Sequence, residues 1–234
     1  HPTNTRAACA EAAEKYADHE FIFGIEQEYT FFIGNRPLGF PESGFPPPQG
    51  GYYCGVGADE VFGREAVEAH LDACLRAELG IFGINAEVMP GQWEFQVGTL
   101  SPLDVSDHLW VARWLLYRVS EDFGINATLH PKPARGDWNG AGAHTNFSTK
   151  AMRSSYQACI DAAEALGRRH DLHITNYGHG IEERLTGLHE TAPYTEFRYG
   201  VSDRGASIRI PWQVERDGKG YIEDRRPCAN VDPY

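Results

Sequence analysis

The sequence predicts an α+β fold built on a largely antiparallel sheet. Three observations carry this. Helix-like and strand-like segments do not alternate as they would in βαβ units. Two short strand-like stretches within residues 85–97 flank the turn pair Pro90-Gly91, as in a hairpin. The 234 residues, 41% of them apolar, are ample for a proper core in one large domain or two small ones.

The elements follow in order. Residues 5–19 are Ala-rich and helix-prone, and residues 21–32 read as a strand rich in Phe, Ile, Tyr and Thr. Residues 35–51, dense in Pro and Gly, read as a loop. Over residues 64–79 the spacing of Val67, Leu71, Cys74 and Leu75 predicts a helix stopped by Gly80. Ser106 is the predicted N-cap of a long helix through Phe123, with Leu109, Leu116, Val119 and Phe123 inward and Gly124 as its stop. Residues 125–129 read as a strand, 131–142 as a glycine-rich loop, and 144–148 as a strand. Residues 154–170 are helical in pattern, and 181–199 show no clear period and read as a loop. Short strands are expected at 206–210 and 220–224.

With 21 Lys+Arg against 33 Asp+Glu, the formal net charge is −12. That balance argues against nucleic acid as a partner, because phosphate binding wants positive surface. No apolar run approaches the roughly 20 residues that span a bilayer, so no membrane partner is expected. No signal peptide is visible, and a start at His1 leads us to expect a piece of a longer protein. The five cysteines (9, 54, 74, 159 and 228) show no C-x-x-C spacing, and they read as buried, reduced thiols of a cytoplasmic protein.

Chemistry concentrates in four places. On the first strand Glu26 and Glu28 share a face about 7 Å apart, opposite Phe21, Phe23, Ile25 and Tyr29. Such a pair suits a cation, a sugar-splitting reaction or plain solvent. If Pro90 and Gly91 are the two turn residues, Glu87 faces Glu94 across the hairpin, with Trp93, Phe95 and Val97 on the other face. Like charges so opposed are destabilising, and a divalent cation would neutralise them. Third, the glycines at 136, 140 and 142 let backbone approach a ligand, and His144, Asn146 and Ser148 then share a strand face. The loop matches neither a Walker A motif nor a dinucleotide fingerprint. Fourth, Arg204 and Arg209 lie on one short strand segment, and Glu223 and Arg225 share a face of the next, with Arg184 and Arg198 adding cations nearby. Carboxylates for a hard cation such as Mg²⁺ or Mn²⁺, with guanidinium forks for phosphate oxygens, point to metal-assisted phosphoryl transfer. Periodicity does not name the acceptor.

Eight ordered blocks from about residue 21 to the last residue carry a resemblance: GIEQEYT, YYCGVGADEVFGREAVEAH, NAEVMPGQWEFQVG, DHLWVARWLLYRVSEDFG, NGAGAHTNFSTKAMR, RLTGLHE, DRGASIRIP and GYIEDRRPCANVDPY. Together they resemble the catalytic domain of the glutamine synthetase family, in its type II form. The resemblance implies the curved, largely antiparallel sheet flanked by helices that this family shares with guanidino kinases, whose motifs differ. It implies one metal held by Glu26, His144 and Glu223 and another held by Glu28, Glu87 and Glu94, with two or three Mg²⁺ or Mn²⁺ ions per site. Asn139, Gly140, Gly142, Arg184 and Arg209 would contact glutamate. Ser148, Arg204 and Arg225 would contact ATP, Ser148 near the base. Glu190 would sit on a flap over the glutamate and ammonia sites and, with Arg204 and Arg225, carry catalysis.

The implied reaction is ATP-dependent ligation of ammonia to the γ-carboxylate of glutamate through γ-glutamyl phosphate. The implied assembly is a homo-oligomer, a decamer of two pentameric rings with shared sites. Residues 1–234 would then be an incomplete catalytic domain, lacking an N-terminal β-grasp domain and a closing helical segment, and poorly active alone. A γ-glutamyl-amine ligase and a non-catalytic relative are the alternatives. A glycosidase, suggested by the carboxylate pairs alone, is disfavoured by the arginine-bearing strands.

Overall fold

A computed structural model of the chain describes residues 1 and 3–234. Its strands are β1 (Ile22–Ile33), β2 (Arg36–Pro37), β3 (Ile81–Ala86), β4 (Gln92–Leu100), β5 (Asn126–Thr128), β6 (Ala143–Ser148), β7 (Tyr199–Val201), β8 (Ile208–Ile210) and β9 (Ile222–Asp224). The helices are α1 (Thr5–Lys15), α2 (Arg64–Arg76), α3 (Pro102–Asp122), α4 (Tyr156–Gly167), α5 (His170–Ile174), α6 (Ile181–Arg184) and α7 (Trp212–Asp217). The strands form one sheet in the order β3-β4-β1-β6-β9-β8-β7, with β2 and β5 also pairing β1. Every pairing is antiparallel except β7 with β8. The expected α+β class with a largely antiparallel sheet, flanked by helices, is what the chain adopts.

β1 is the axis of the sheet. Its alternation sends Ile25 and Tyr29 into the core with Trp93, Phe95 and Val97 of β4, and α2 and α3 cover that face through Val67, Cys74, Leu109 and Leu116. Each Val, Leu, Ile or Phe among them contributes about 1.5–3 kcal/mol when fully buried. A second cluster packs α4 and α7 on the other end of the sheet, through Cys159, Ala163 and Val214 against Ile208, Ile210 and Ile222. The opposite face of the central strands is left for polar groups.

Several local expectations need correction. The cap of α3 is Ser101, whose Oγ accepts the Asp104 N–H at 3.2 Å, with Pro102 in the first helical turn, where its missing N–H costs nothing. Ser106 instead lies inside the helix, bonded to the Pro102 and Pro233 carbonyls. Phe123 caps α3 beyond the edge of the core and is exposed. Leu75 is also exposed, because the buried stripe of α2 runs through Val67, His70 and Cys74, and one residue further turns about 100° away. The expected helix over 154–170 ends at Gly167, where the Phe197 ring fills the place of a Cβ, and α5 starts anew. The expected loop 181–199 opens with the single turn of α6. Of the cysteines, Cys74, Cys159 and Cys228 are buried, Cys9 is half-buried and Cys54 is exposed; all are free thiols.

The hairpin register also differs. Gly91, at φ 72°, and Pro90 do occupy the centre of the turn, closed by the Gln92 N–H on the Met89 carbonyl at 3.0 Å. The ladder is nevertheless offset: Ala86 pairs Trp93 and Asn85 pairs Glu94. Glu87 lies past the last ladder pair, its N–H on the Gln92 carbonyl. Pro-Gly favours a type II turn, whose twist does not match a tight two-residue hairpin, so the loop widens.

Candidate active site

The polar face of the sheet gathers its acids by strand pairing. Glu28 of β1 stands directly opposite Glu94 of β4, and Glu26 stands opposite His144 of β6. Glu223 of β9 pairs Asn146 of β6. Glu87 arrives from the widened hairpin loop. Two groups result, each with ligand atoms within 4.8 Å of one another: Glu28 with Glu87 and Glu94, and Glu26 with His144 and Glu223.

The first group is buried and charge-poor in partners. Glu28 accepts from the Gly142 N–H, Glu87 from Asn85 Nδ2 (3.0 Å) and the Val88 N–H (3.2 Å), and Glu94 from Gln96 Nε2. Among the described residues none of the three forms an ion pair with Lys or Arg. Burial pushes the Glu28 carboxyl up to about 7, against the pull of Arg184. Burial and neighbouring carboxylates push Glu87 up to about 8 and Glu94 up to about 9. Converging oxygen donors that resist ionisation for want of positive charge are the donor set of a hard divalent cation.

The second group carries its own cations. Glu223, fully buried, accepts Arg225 Nη1 at 2.7 Å on one oxygen and Arg209 Nε on the other. Glu26 accepts Asn146 Nδ2 at 2.7 Å. His144 Nδ1 lies 3.4 Å from both Glu26 and Glu223, and Arg184 donates to its Nε2 at 2.9 Å. Burial, then the Arg225 charge, hold the imidazole well below its usual pKa, so it stays neutral, as a metal ligand must be.

Arginines and the Gly-rich loop close the cavity. Arg184 spans from His144 to the Arg225 and Arg226 carbonyls at 3.1 and 3.3 Å. The glycines serve this arginine: a Cβ on Gly140 would lie 2.7 Å from Arg184 Cγ and 2.8 Å from the Pro131 carbonyl, and one on Gly142 would strike the guanidinium itself. Gly140 and Gly142 thus make room for a buried side chain, while Gly136, at φ 91°, has nothing within 4 Å of its Cβ position. Arg204 reaches across to Glu190 at 3.7 Å and lies over the Tyr53 ring.

Glu26, Glu28, Glu87, Glu94, Asn139, Gly140, His144, Arg184, Glu190, Arg204, Arg209 and Arg225 thus line one cavity, with Glu223 and Gly142 buried beneath it. Ser148 is apart: its Oγ donates to the Gly220 carbonyl at 2.6 Å, in a more apolar groove lined by Phe23, Phe82, Phe147 and Tyr221 that meets the cavity at Glu26. Arg198 turns away to the Gly205 carbonyl. The sequence reading missed Asn85, Gln96 and Tyr53. Asn85 was legible only through the hairpin register, which the two-residue turn displaced. No helix of the described residues is long and apolar enough to cross a membrane.

Comparison with known proteins accords with this geometry. Residues 3–167 match the family model described as glutamine synthetase, catalytic domain. The chain is 75% identical over 236 residues to a glutamine synthetase of Streptomyces viridochromogenes, covering all of this chain and 69% of that one. It is 69% identical over 237 residues to one from Streptomyces hygroscopicus, covering all of this chain and 70% of the relative. A glutamine synthetase of Xenopus laevis is 57% identical over 239 residues, covering 99% of this chain and 61% of its own length. A carboxylate-lined, arginine-rimmed cavity on a largely antiparallel sheet and whole-chain identities of this size lead to one conclusion: the chain belongs to the glutamine synthetase family.

Proposed function

We propose that the protein ligates ammonia to the γ-carboxylate of glutamate at the expense of ATP, giving glutamine, ADP and phosphate. The observation that carries this reading is the meeting of two acid clusters with Arg184, Arg204, Arg209 and Arg225 in a single cavity. Glu28, Glu87 and Glu94 would hold one divalent cation, Mg²⁺ or Mn²⁺, and Glu26, His144 and Glu223 another. Bound there, such cations neutralise phosphate oxygens and orient the terminal phosphate.

The chain's own residues do the rest. Arg184, with Asn139 and Gly140, binds glutamate so that its γ-carboxylate oxygen faces the terminal phosphorus. That oxygen forms the new P–O bond as the bond to ADP breaks. Arg204, Arg209 and Arg225 stabilise the charge spread over the transferred group. Ammonia then attacks the acyl carbon of γ-glutamyl phosphate, phosphate leaves, and the Glu190 carboxylate takes the surplus proton. The groove at Ser148 takes the nucleotide base. The type II resemblance supports a homo-oligomeric, decameric assembly in the cytoplasm.

The test is product balance. Full-length protein with Mg²⁺ or Mn²⁺, ATP, glutamate and ammonia is expected to form ADP, phosphate and glutamine in equal amounts. Product formation only with primary amines in place of ammonia, or ATP turnover without glutamate, would overturn the reading.

A further inference from the structure

The segment bearing Glu190 is held in an unusual way. His189 and Glu190 have φ of 54° and 59°, two consecutive non-glycine residues in the left-handed region. Such conformations persist only where surrounding contacts impose them. The segment's own turn supplies the Thr191 hydroxyl on the Leu188 carbonyl at 2.8 Å, and Arg225 Nη2 reaches the Glu190 carbonyl at 3.4 Å. Arg204 adds an ion pair to the Glu190 carboxylate at 3.7 Å, between two half-exposed side chains. Two further contacts belong to the His189 ring, and both reach other loops.

Those contacts form one directed chain. The Asn139 N–H donates to Gln49 Oε1 at 2.7 Å. That fixes the Gln49 amide, so its Nε2 must donate to His189 Nδ1, 2.9 Å away. Accepting at Nδ1 leaves the proton of the neutral ring on Nε2, which faces Asp137 Oδ1 at 3.0 Å. One imidazole tautomer satisfies every link. The chain joins three loops that share no strand or helix: the stretch between β2 and α2, the Gly-rich loop before β6, and the Glu190 segment. The His189 side chain is only 17% exposed, although Asp137 is 93% exposed. Gln49 meanwhile grips the backbone of Asn139, on the glutamate side of the cavity.

The geometry points to His189 as a positioning residue that latches the Glu190 segment over the glutamate pocket, with Gln49 and Asp137 as its two catches. This rests on the reading of the cavity as a glutamine-forming site. Because Gln49 holds Asn139 and His189 at once, order in the pocket backbone and closure of the segment are linked. With the latch broken, water reaches γ-glutamyl phosphate. Its oxygen attacks the acyl carbon, the C–O bond to phosphate breaks, and glutamate and phosphate are released with ATP spent and no glutamine made.

The test compares full-length wild type with His189→Ala, Gln49→Ala, the double variant and His189→Asn. Wild type is expected to form one ADP per glutamine. His189→Ala is expected to raise that ratio at least about threefold, and the glutamate KM about tenfold, with the ATP KM within about twofold. Gln49→Ala should act in the same direction, and the double variant should be no worse than His189→Ala, because both break one chain. His189→Asn, whose side-chain oxygen can accept from Gln49, should recover most of the coupling. Amide hydrogen exchange at residues 188–191 without substrates gives an independent readout, expected to quicken in His189→Ala and Gln49→Ala. A folded His189→Ala with wild-type ratio, even at lowered kcat, overturns the latch. If His189→Ala does not fold, Gln49→Ala on its surface loop decides by the same readings. If wild type makes no glutamine, the functional reading fails, and exchange alone decides the latch: unchanged rates overturn it.

Discussion

The two acid clusters lie side by side on one face of one sheet and solve opposite electrostatic problems. Glu28, Glu87 and Glu94 meet only neutral donors, and burial drives their carboxyls up to about 7, 8 and 9. Glu223 meets two guanidinium groups, and His144 beside it is kept neutral. The first cluster is therefore a site in want of a cation. The second already has arginine charge on Glu223 before any cation binds, and Arg209 and Arg225 line the same cavity. In the proposed reaction, placing a charge-deficient site next to a charge-balanced one would let cations and arginines act on one phosphate from two sides.

The sharpest way to break this contrast is to neutralise one acid on each side. Glu223→Gln should cost about 3–5 kcal/mol in urea unfolding, because it strands two buried or half-buried arginines. Glu94→Gln should have the opposite sign in metal-free protein at pH 9. The sign follows from proton linkage: carboxyls raised in the folded state contribute stability below the ordinary carboxylate range, and that contribution is lost as pH rises through about 7 to 9. Removing one flattens the slope. Equal signs for the two variants would dissolve the distinction.

Arg225→Ala should lower kcat by about 10²–10³, the cost of losing one preorganised charge donor, while leaving a metal-induced rise in melting temperature in place. Loss of that rise would mean Arg225 supports the cation-deficient cluster too. Next, Mn²⁺ or Mg²⁺ at a fixed concentration, about a hundred times its Kd at pH 8, should stabilise the protein there by about 2.7 kcal/mol in calorimetry. The gain should be larger at pH 8 than at pH 6, since bound cations must displace protons, and Glu28→Gln should abolish most of it. A gain independent of pH would contradict the raised carboxyls. The smallest effect belongs to Asn146→Ala. Removing the amide that satisfies Glu26 should cost about 1 kcal/mol of stability.

Period-two alternation was enough to put Glu26 and Glu28 on one face and Trp93, Phe95 and Val97 on the other, because a half-buried strand tolerates only one register with respect to its core. The same alternation grouped His144 with Asn146 and Glu223 with Arg225. It did not locate Glu87, whose place depends on how a turn closes, nor Asn85 and Gln96, which matter only through the acids they touch. Ser106 looked like a cap because a serine preceded the apolar spacing; Ser101-Pro102 won because Pro suits the first turn, and the Ser106 hydroxyl instead donates to the Pro233 carbonyl. The parallel pairing of β7 with β8 had no local signature at all.

By itself, then, the sequence determined the class of fold, the acid-bearing strand faces and the family, since these are written in local periodicity and in ordered blocks of residues. Tertiary structure alone decided which acids lack a cation and which have one, that Gly140 and Gly142 make room for Arg184, and that Gln49, nearly a hundred residues from Asn139, holds both that residue and His189. Burial and partner choice depend on segments remote in the chain coming together, and no window of neighbouring residues encodes the electrostatic surroundings they create.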